Sequence, residues 1–321
     1  MADLLEPYTL LLALSQALAY ALGAPLLVGW IRRVKARLQN RRGPSLLQPY
    51  RNLYKLFGKE AMVADTASMI FRAAPYIVFS AILLAGTIMP LAAINPPMAA
   101  IADVIVLVGF FALARFFLAL AGMDVGTAFG GMGASREMLI SSMAEPAMLM
   151  AVFTLAMTAH STNLSSVITH ILNAGLVLRP SFMFTLMALI LVAVAESGRI
   201  PVDNPSTHLE LTMIHEAMIL EYSGRHLALM EWAAHLKLMI YGVLIVNIFS
   251  PWGIATTTGP VDIITGFAVV AGKLMILGTM LAVAETVLAK MRLFRAPEFL
   301  NLAFLLAVLG ILSHVILEVG A

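Results

Sequence analysis

Eight apolar runs, each about the length needed to cross a bilayer, leave this chain little choice of fold. They cover residues 8–31, 75–94, 98–120, 136–158, 180–196, 232–252, 263–288 and 299–318. A hydrocarbon core about 30 Å thick takes roughly 20 apolar residues in a helix. Lipid offers no partner to a free backbone amide or carbonyl, so each span must satisfy its own. The expected fold is all-α and polytopic: a single membrane domain, residues 1–321, of about eight transmembrane helices. Composition agrees, with 61% hydrophobic and 12% charged residues and a mean hydropathy of +0.93. Soluble domains carry about 45–50% apolar and about 25% charged residues. No cleavable leader is expected, because Asp3 and Glu6 stand where a basic n-region would be and the first run is long enough to span.

The polar remainder is unevenly spread. Residues 32–72 hold ten of the twenty Lys and Arg: Arg32, Arg33, Lys35, Arg37, Arg41, Arg42, Arg51, Lys55, Lys59 and Arg72. Within this loop Gly43-Pro44 reads as a turn. Leu46, Leu47, Tyr50, Leu53, Tyr54 and Phe57 recur at spacings of three and four, which predicts an amphipathic surface helix. Asn95-Pro96-Pro97 predicts a tight turn. The Gly-rich segment 122–135 lacks the Lys-Ser/Thr of a phosphate loop and reads as a loop of close backbone packing. Residues 163–179 read as a further loop. Counting spans, the basic loops all fall on one side. The positive-inside rule makes that side cytoplasmic and puts both termini outside.

The stretch 195–237 carries six carboxylates and four histidines: Glu196, Asp203, Glu210, Glu216, Glu221, Glu231, His208, His215, His226 and His235. Ionisable residues also fall inside spans: Arg115, Glu137, Glu145, Lys237, Lys273 and Glu285. Each costs about 2.5–3.5 kcal/mol at a span centre on insertion scales, so a role in moving protons or holding an ion is the default reading. The competing reading is snorkelling ends and structural ion pairs. Glu137 and Glu145 are eight residues apart, about 80° around a helix, so both can look into one cavity. Pro146 would free the Ser142 carbonyl beside Glu145. His215-Glu216 opens an HExxH pattern, but Ile219 stands where the second ligand belongs. With no cysteine, the chain cannot ligate a thiolate iron–sulfur cluster or form a disulfide. A net charge of +2 gives no footprint for nucleic acid.

Four segments carry a family resemblance. NRRGPSLLQPYRNLYKLFGKE resembles the R-x-G-P…Q…K-L…K-E loop of the quinone-chamber membrane subunit (subunit 1/H) of respiratory complex I. GASREMLISSMAEP resembles that family's G-A-x-R-x-x…E motif. AESGRIPVDNP is similar to its E-x-x-R-x-P-x-D segment, and LEYSG to its E-Y-S-G. The order and the eight-span layout agree over essentially the whole chain. The family's P-F-D-L-x-E-x-E is here replaced by Pro201-Val202-Asp203-Asn204-Pro205. This form resembles the membrane subunits of group 4 energy-converting NiFe hydrogenases of the formate-hydrogenlyase, CO-induced and Ech types.

The resemblance implies a non-catalytic membrane anchor in the inner membrane of a prokaryote. It couples electron transfer in soluble partners to H⁺ or Na⁺ translocation. Those partners would be the hydrogenase large and small subunits and an iron–sulfur subunit, docked on loops 32–72 and 198–231, with antiporter-like membrane subunits alongside. Iron–sulfur clusters and the NiFe centre would belong to the partners. The altered 201–221 segment argues against a bound quinone. The family's acidic path maps onto Glu137, Glu145, Glu196, Glu210, Glu216 and Glu221, with Glu285 and Lys273 as further ionisable candidates. Arg41, Arg42, Arg199, Asp203 and Tyr222 would shape the cavity mouth and docking surface. Two alternatives stand beside this: a quinone-binding subunit of a respiratory NADH dehydrogenase, and a standalone ion transporter.

Overall fold

The computed structural model describes residues 7–94, 102–174, 179–203, 213–256 and 259–318. Eight helices supply the spans: α1 (Pro7–Leu38), α3 (Met69–Ile88), α4 (Val104–Asp124), α5 (Ala128–Ala159), α7 (Pro180–Glu196), α9 (Gly224–Phe249), α10 (Pro260–Val287) and α11 (Ala296–Ser313). Three short helices, α2 (Gln48–Phe57), α6 (Leu164–Ala174) and α8 (His215–Ile219), complete the α-helical set among the described residues. Seven of the eight are long and apolar enough to cross a membrane, and α7, with 17 residues, is the short one. The chain is a multi-pass membrane protein.

Local signals set many of the boundaries. Ser68 and Asp103 cap α3 and α4 by accepting from Ile70 N at 3.1 Å and Ile105 N at 2.7 Å. Pro180 and Pro260 sit in the first turns of α7 and α10, where no amide partner is needed. Lys35 and Arg37 close α1, favourably placed against its dipole. The predicted surface helix is α2, with Leu53 buried and Tyr54 exposed.

Three boundaries differ from the sequence reading. The Gly-rich segment is mostly helix: Thr127 caps α5, which starts at Ala128, a full two turns before the expected span. Its glycines still do the expected packing. A Cβ on Gly130 would lie 2.1 Å from the Gly122 carbonyl, and one on Gly133 would lie 2.9 Å from Ala217 of α8. The 163–179 loop contains α6, which Asn163 caps by accepting from Ser165 N at 3.0 Å. The sixth span begins early too, because α9 starts at Gly224 instead of Trp232. Gly224 has φ +53° and a Cβ there would meet the Glu60 carbonyl at 2.4 Å, so only glycine fits. The Asn95-Pro96-Pro97 turn lies outside the described residues.

Helix α9 is the axis of the bundle. Its spanning window is 78% buried, against 22% for α10 and 28% for the last span. Helix α3 packs on α4 and α9, α5 on α4, α7 and α11, and α1 on α9 and α10. Lipid tails give helices no hydrophobic reason to associate, so close packing through small residues carries the bundle. The core accordingly includes Ala74, Ala85, Ala114, Ala147, Ala188, Ala303 and Ala307.

Candidate functional site

Charged side chains gather at the end of the bundle that carries loops 32–72 and 198–231. Arg115 of α4 is 5% exposed. Its guanidinium donates through Nη1 to Glu196 and through Nη2 to Glu145. Lys237 of α9 donates to the other oxygen of Glu196 at 2.8 Å. Glu196, on the last turn of α7, is therefore held between two cations. Its side chain is 4% exposed, whereas that of Glu145 is 38% exposed. The cluster thus runs from the interior to the outer face of α5.

Beside it lies a small cavity of about 70 Å³ that Arg115, Glu137, Glu196, Asp203, His215 and Lys237 help to line. Glu137 has no ion-pair partner among the described residues, unlike its neighbours. A second, polar cavity of about 260 Å³ is lined by Arg32, Lys35, Arg199, Glu216, Glu231, His235 and Glu285, among others. Ser197, Gly198, Asp203, His215 and Ala234 line both cavities, so the two meet. Glu285 of α10 receives Lys35 at 2.8 Å and Arg199 at 3.2 Å. Asp203 receives Lys290 at 2.8 Å. Isolated charges at this depth would be prohibitive, and pairing is what makes them tolerable.

Loop residues complete the site. Burial pushes the His215 imidazole down, and Lys237 adds to this against the opposing fields of Glu216 and Asp203. Burial raises the Tyr222 hydroxyl, so it stays neutral and donates to the Phe71 carbonyl at 2.9 Å. The Tyr222 ring stacks on Phe71 with centroids 4.0 Å apart. Ser223 exchanges two hydrogen bonds with the backbone of Met62, at 2.8 and 2.9 Å. The Tyr-Ser-Gly motif is thus a clasp between the two polar loops.

Of the residues singled out in the sequence, the structure gathers Glu137, Glu145, Glu196, Arg199, Asp203, Glu216 and Glu285 around one pair of cavities and the adjoining Arg115 cluster. Glu221, Arg41 and Arg42 are exposed and line neither cavity. Tyr222 acts in the clasp. Lys273 lies at the opposite end of the bundle, donating to the carbonyls of Ser250 and Trp252. Glu210 and His208 lie outside the described residues. Among the described residues, no three His, Asp or Glu are grouped to hold a metal ion. Sequence reasoning left Lys35 among surface cations. Its signal was there: it stands one turn after Ile31 and two after Val28, both 1% exposed, on the same inward face.

A membrane bundle with an ion-paired carboxylate chain at one end defines a class: the helical membrane subunits in which buried acids adjoin a polar, loop-covered cavity. The chain belongs to the NADH dehydrogenase family, whose model matches residues 11–316, in its subunit 1/H branch. It is 32% identical to formate hydrogenlyase subunit 4 of Escherichia coli strain K12, over 95% of this chain and 98% of that one. It is 33% identical to hydrogenase-4 component C of the same strain, over 96% of each chain. An NADH-quinone oxidoreductase subunit of Salinibacter ruber is 28% identical over 72% of this chain and 69% of that protein. A chain of the membrane-bound sulfane sulfur reductase, an archaeal respiratory membrane complex, shares the fold. Its TM-score is 0.82 at 19% identity, covering 95% of this chain and 98% of that one.

Proposed function

We propose that this protein is the membrane anchor subunit of a complex-I-like, energy-converting hydrogenase in the cytoplasmic membrane of a prokaryote. It couples electron transfer in soluble partners to ion translocation. The observation that carries the reading is the set of ionisable groups that line two adjoining cavities and lead through Arg115 to the partly exposed Glu145 of α5. Glu216, Glu231 and Glu285 line the cavity; Asp203 and His215 join it to the inner one; Glu137 and Glu196 follow; Arg115 leads to Glu145. The near-full-length likeness to two hydrogenase membrane components supports the hydrogenase assignment.

In this reading loops 32–72 and 198–231 face the cytoplasm and receive the hydrogenase large, small and iron–sulfur subunits, which hold the clusters and the NiFe centre. The half-exposed Glu145 is an acid that lipid cannot solvate. It hands the path to an antiporter-like membrane subunit packed against α5. Glu137 is the group free to gain and lose a proton. Glu196 is held ionised by Arg115 and Lys237, and keeps those cations in place.

The test is Glu137→Gln in the assembled complex, with dye-linked hydrogenase activity and donor-driven ion uptake into vesicles measured on one preparation. Retained dye activity with lost uptake is expected. Normal uptake would overturn the path. Orientation is tested by a cysteine at the exposed Arg292 position, which should label only from the cytoplasmic side; labelling from outside would reverse the topology.

A further inference from the structure

A third cavity meets the polar one at Arg199, and the ion path does not use it. It is a cleft of about 240 Å³ between α7 and α10, floored by α9 and flanked by α1. Its walls are hydrocarbon, including Leu27, Ile190, Val194, Ile245, Leu277 and Leu281. Helices α7 and α10 both pack on α9 yet make no extended contact with each other. Ile31, Ser197, Arg199 and Leu238 line both this cleft and the polar cavity. An apolar slot at membrane depth therefore opens directly onto a charged chamber. Jointly they reach the size of small-ligand sites, roughly 300–1,000 Å³.

The charges of the chamber do not close among themselves. Lys35 and Arg199 share Glu285, and Lys290 takes Asp203. The exposed Arg32 guanidinium and the partly exposed carboxylates of Glu216 and Glu231 make no hydrogen bond among the described residues, and both acids act on Arg32 through space. The Nδ1 of His235, a residue 8% exposed, is buried on the same wall and also has no partner. A buried atom without a partner, as at His235, is uncommon in folded proteins and points to something that satisfies it. One cation, two anions and an imidazole do not suit a simple anion. They suit a zwitterion: a phosphate for Arg32 and His235, and an ammonium with hydrogen-bond donors for Glu216 and Glu231.

We propose that a zwitterionic aminophospholipid of the phosphatidylethanolamine class is seated here, one acyl chain in the α7–α10 cleft and its headgroup in the chamber beside Arg32, His235, Glu216 and Glu231. The primary ammonium sets the selectivity. Phosphatidylcholine has the charge but no N–H to donate, and phosphatidylglycerol has the phosphate but no cation. The acyl chain of the seated lipid completes the wall between the charged chamber and the bilayer.

The test uses the protein in its native assembly, placed in phosphatidylcholine nanodiscs containing a small share of a lipid with a photoreactive diazirine in one acyl chain. With the phosphatidylethanolamine probe, peptides containing Val194 and Met280 should be labelled. Labelling with matched phosphatidylcholine and phosphatidylglycerol probes should be about tenfold weaker, the scale of one charge-assisted hydrogen bond. Ala193→Phe, which fills the cleft, should abolish it. Arg32→Gln with Glu231→Gln should erase the headgroup preference while leaving chain labelling. If Ala193→Phe does not assemble, the three-lipid series on the unaltered assembly decides alone. Equal labelling by all three lipids would reduce the cleft to ordinary boundary lipid. Displacement of the probe by ubiquinone but not by unlabelled phosphatidylethanolamine would assign the site to a quinone. No label in α7 or α10 would mean that no chain enters. Each of these last three outcomes overturns the proposal.

Discussion

Helix α9 passes through two very different environments, and the contrast separates what closes the bundle from what the proposed ion path uses. Along its first half, His235 and Lys237 face cavities and charged partners. Along its second half, from Leu238 to Ile248, the helix is buried almost without interruption, and its polar side chain there, Asn247, closes backbone. Asn247 donates to the carbonyls of Pro90 and Leu91 at 2.7 and 3.1 Å. Gln16 likewise covers the carbonyls of Gly86, Thr87 and Met89, and Lys273 those of Ser250 and Trp252. At this end polar side chains end helices in lipid, where open carbonyls are expensive. At the charged end ionisable groups bind one another and leave space between them. Side chains close backbone carbonyls at one end; mutual pairing around cavities leaves the other end suited to the protonation change proposed above.

The contrast breaks most sharply at Arg115. Arg115→Met leaves Glu196 and Glu145 facing each other without their shared cation. A buried pair that loses one partner is destabilised by about 3–5 kcal/mol. The assembled protein should be lost, or its thermal midpoint should fall further than in any of the variants below. Lys273→Met also removes a cation, but at the opposite end, and should do much less. Equal midpoints for the two variants would erase the distinction between the ends.

Glu137→Gln against Glu196→Gln sharpens it next. Glu137→Gln should keep the thermal midpoint and reduce ion uptake by on the order of 10²-fold, the scale of a lost proton-transfer group. Glu196→Gln should lower the midpoint as well, since two cations lose their anion. A stable Glu196→Gln protein with normal uptake would show that its charge serves neither end.

Asn247→Leu opens the Pro90 and Leu91 carbonyls and should cost about 1–3 kcal/mol. Ion uptake per folded complex should not change, because the residue faces no cavity of the path. A transport defect without a stability defect would mean that this end also conducts.

The smallest effect concerns His215. Its imidazole is held below the ordinary value, so the folded protein binds fewer protons than the unfolded chain once the pH drops below about 6.5. Stability from this group is complete above that value and declines as the pH falls. The thermal midpoint should drop on acidification from about pH 7 to about pH 5.5, and His215→Gln should flatten part of that slope. An unchanged slope would place the acid sensitivity elsewhere.

The sequence by itself determined the class, the eight spans, the surface helix at Gln48–Phe57 and the family. These depend on run length, on three-and-four spacing and on contiguous motifs, all readable along the chain. It also picked out the buried ionisable residues, because a charge inside an apolar run is visible without any partner. Only the tertiary structure decided what those charges do. Arg115 meets Glu196 across 81 residues and Lys35 meets Glu285 across 250. Lys273, equal to Glu285 in sequence as an ion inside a span, became a clamp on backbone carbonyls. Helix starts moved for the same reason. Glycines at 130, 133 and 224 look like loop in isolation, but neighbouring backbone presses within contact distance and makes them the residues that helix packing requires. Hydropathy reports the cost of placing a charge in lipid; which opposite charge or carbonyl offsets that cost is set by how the helices pack.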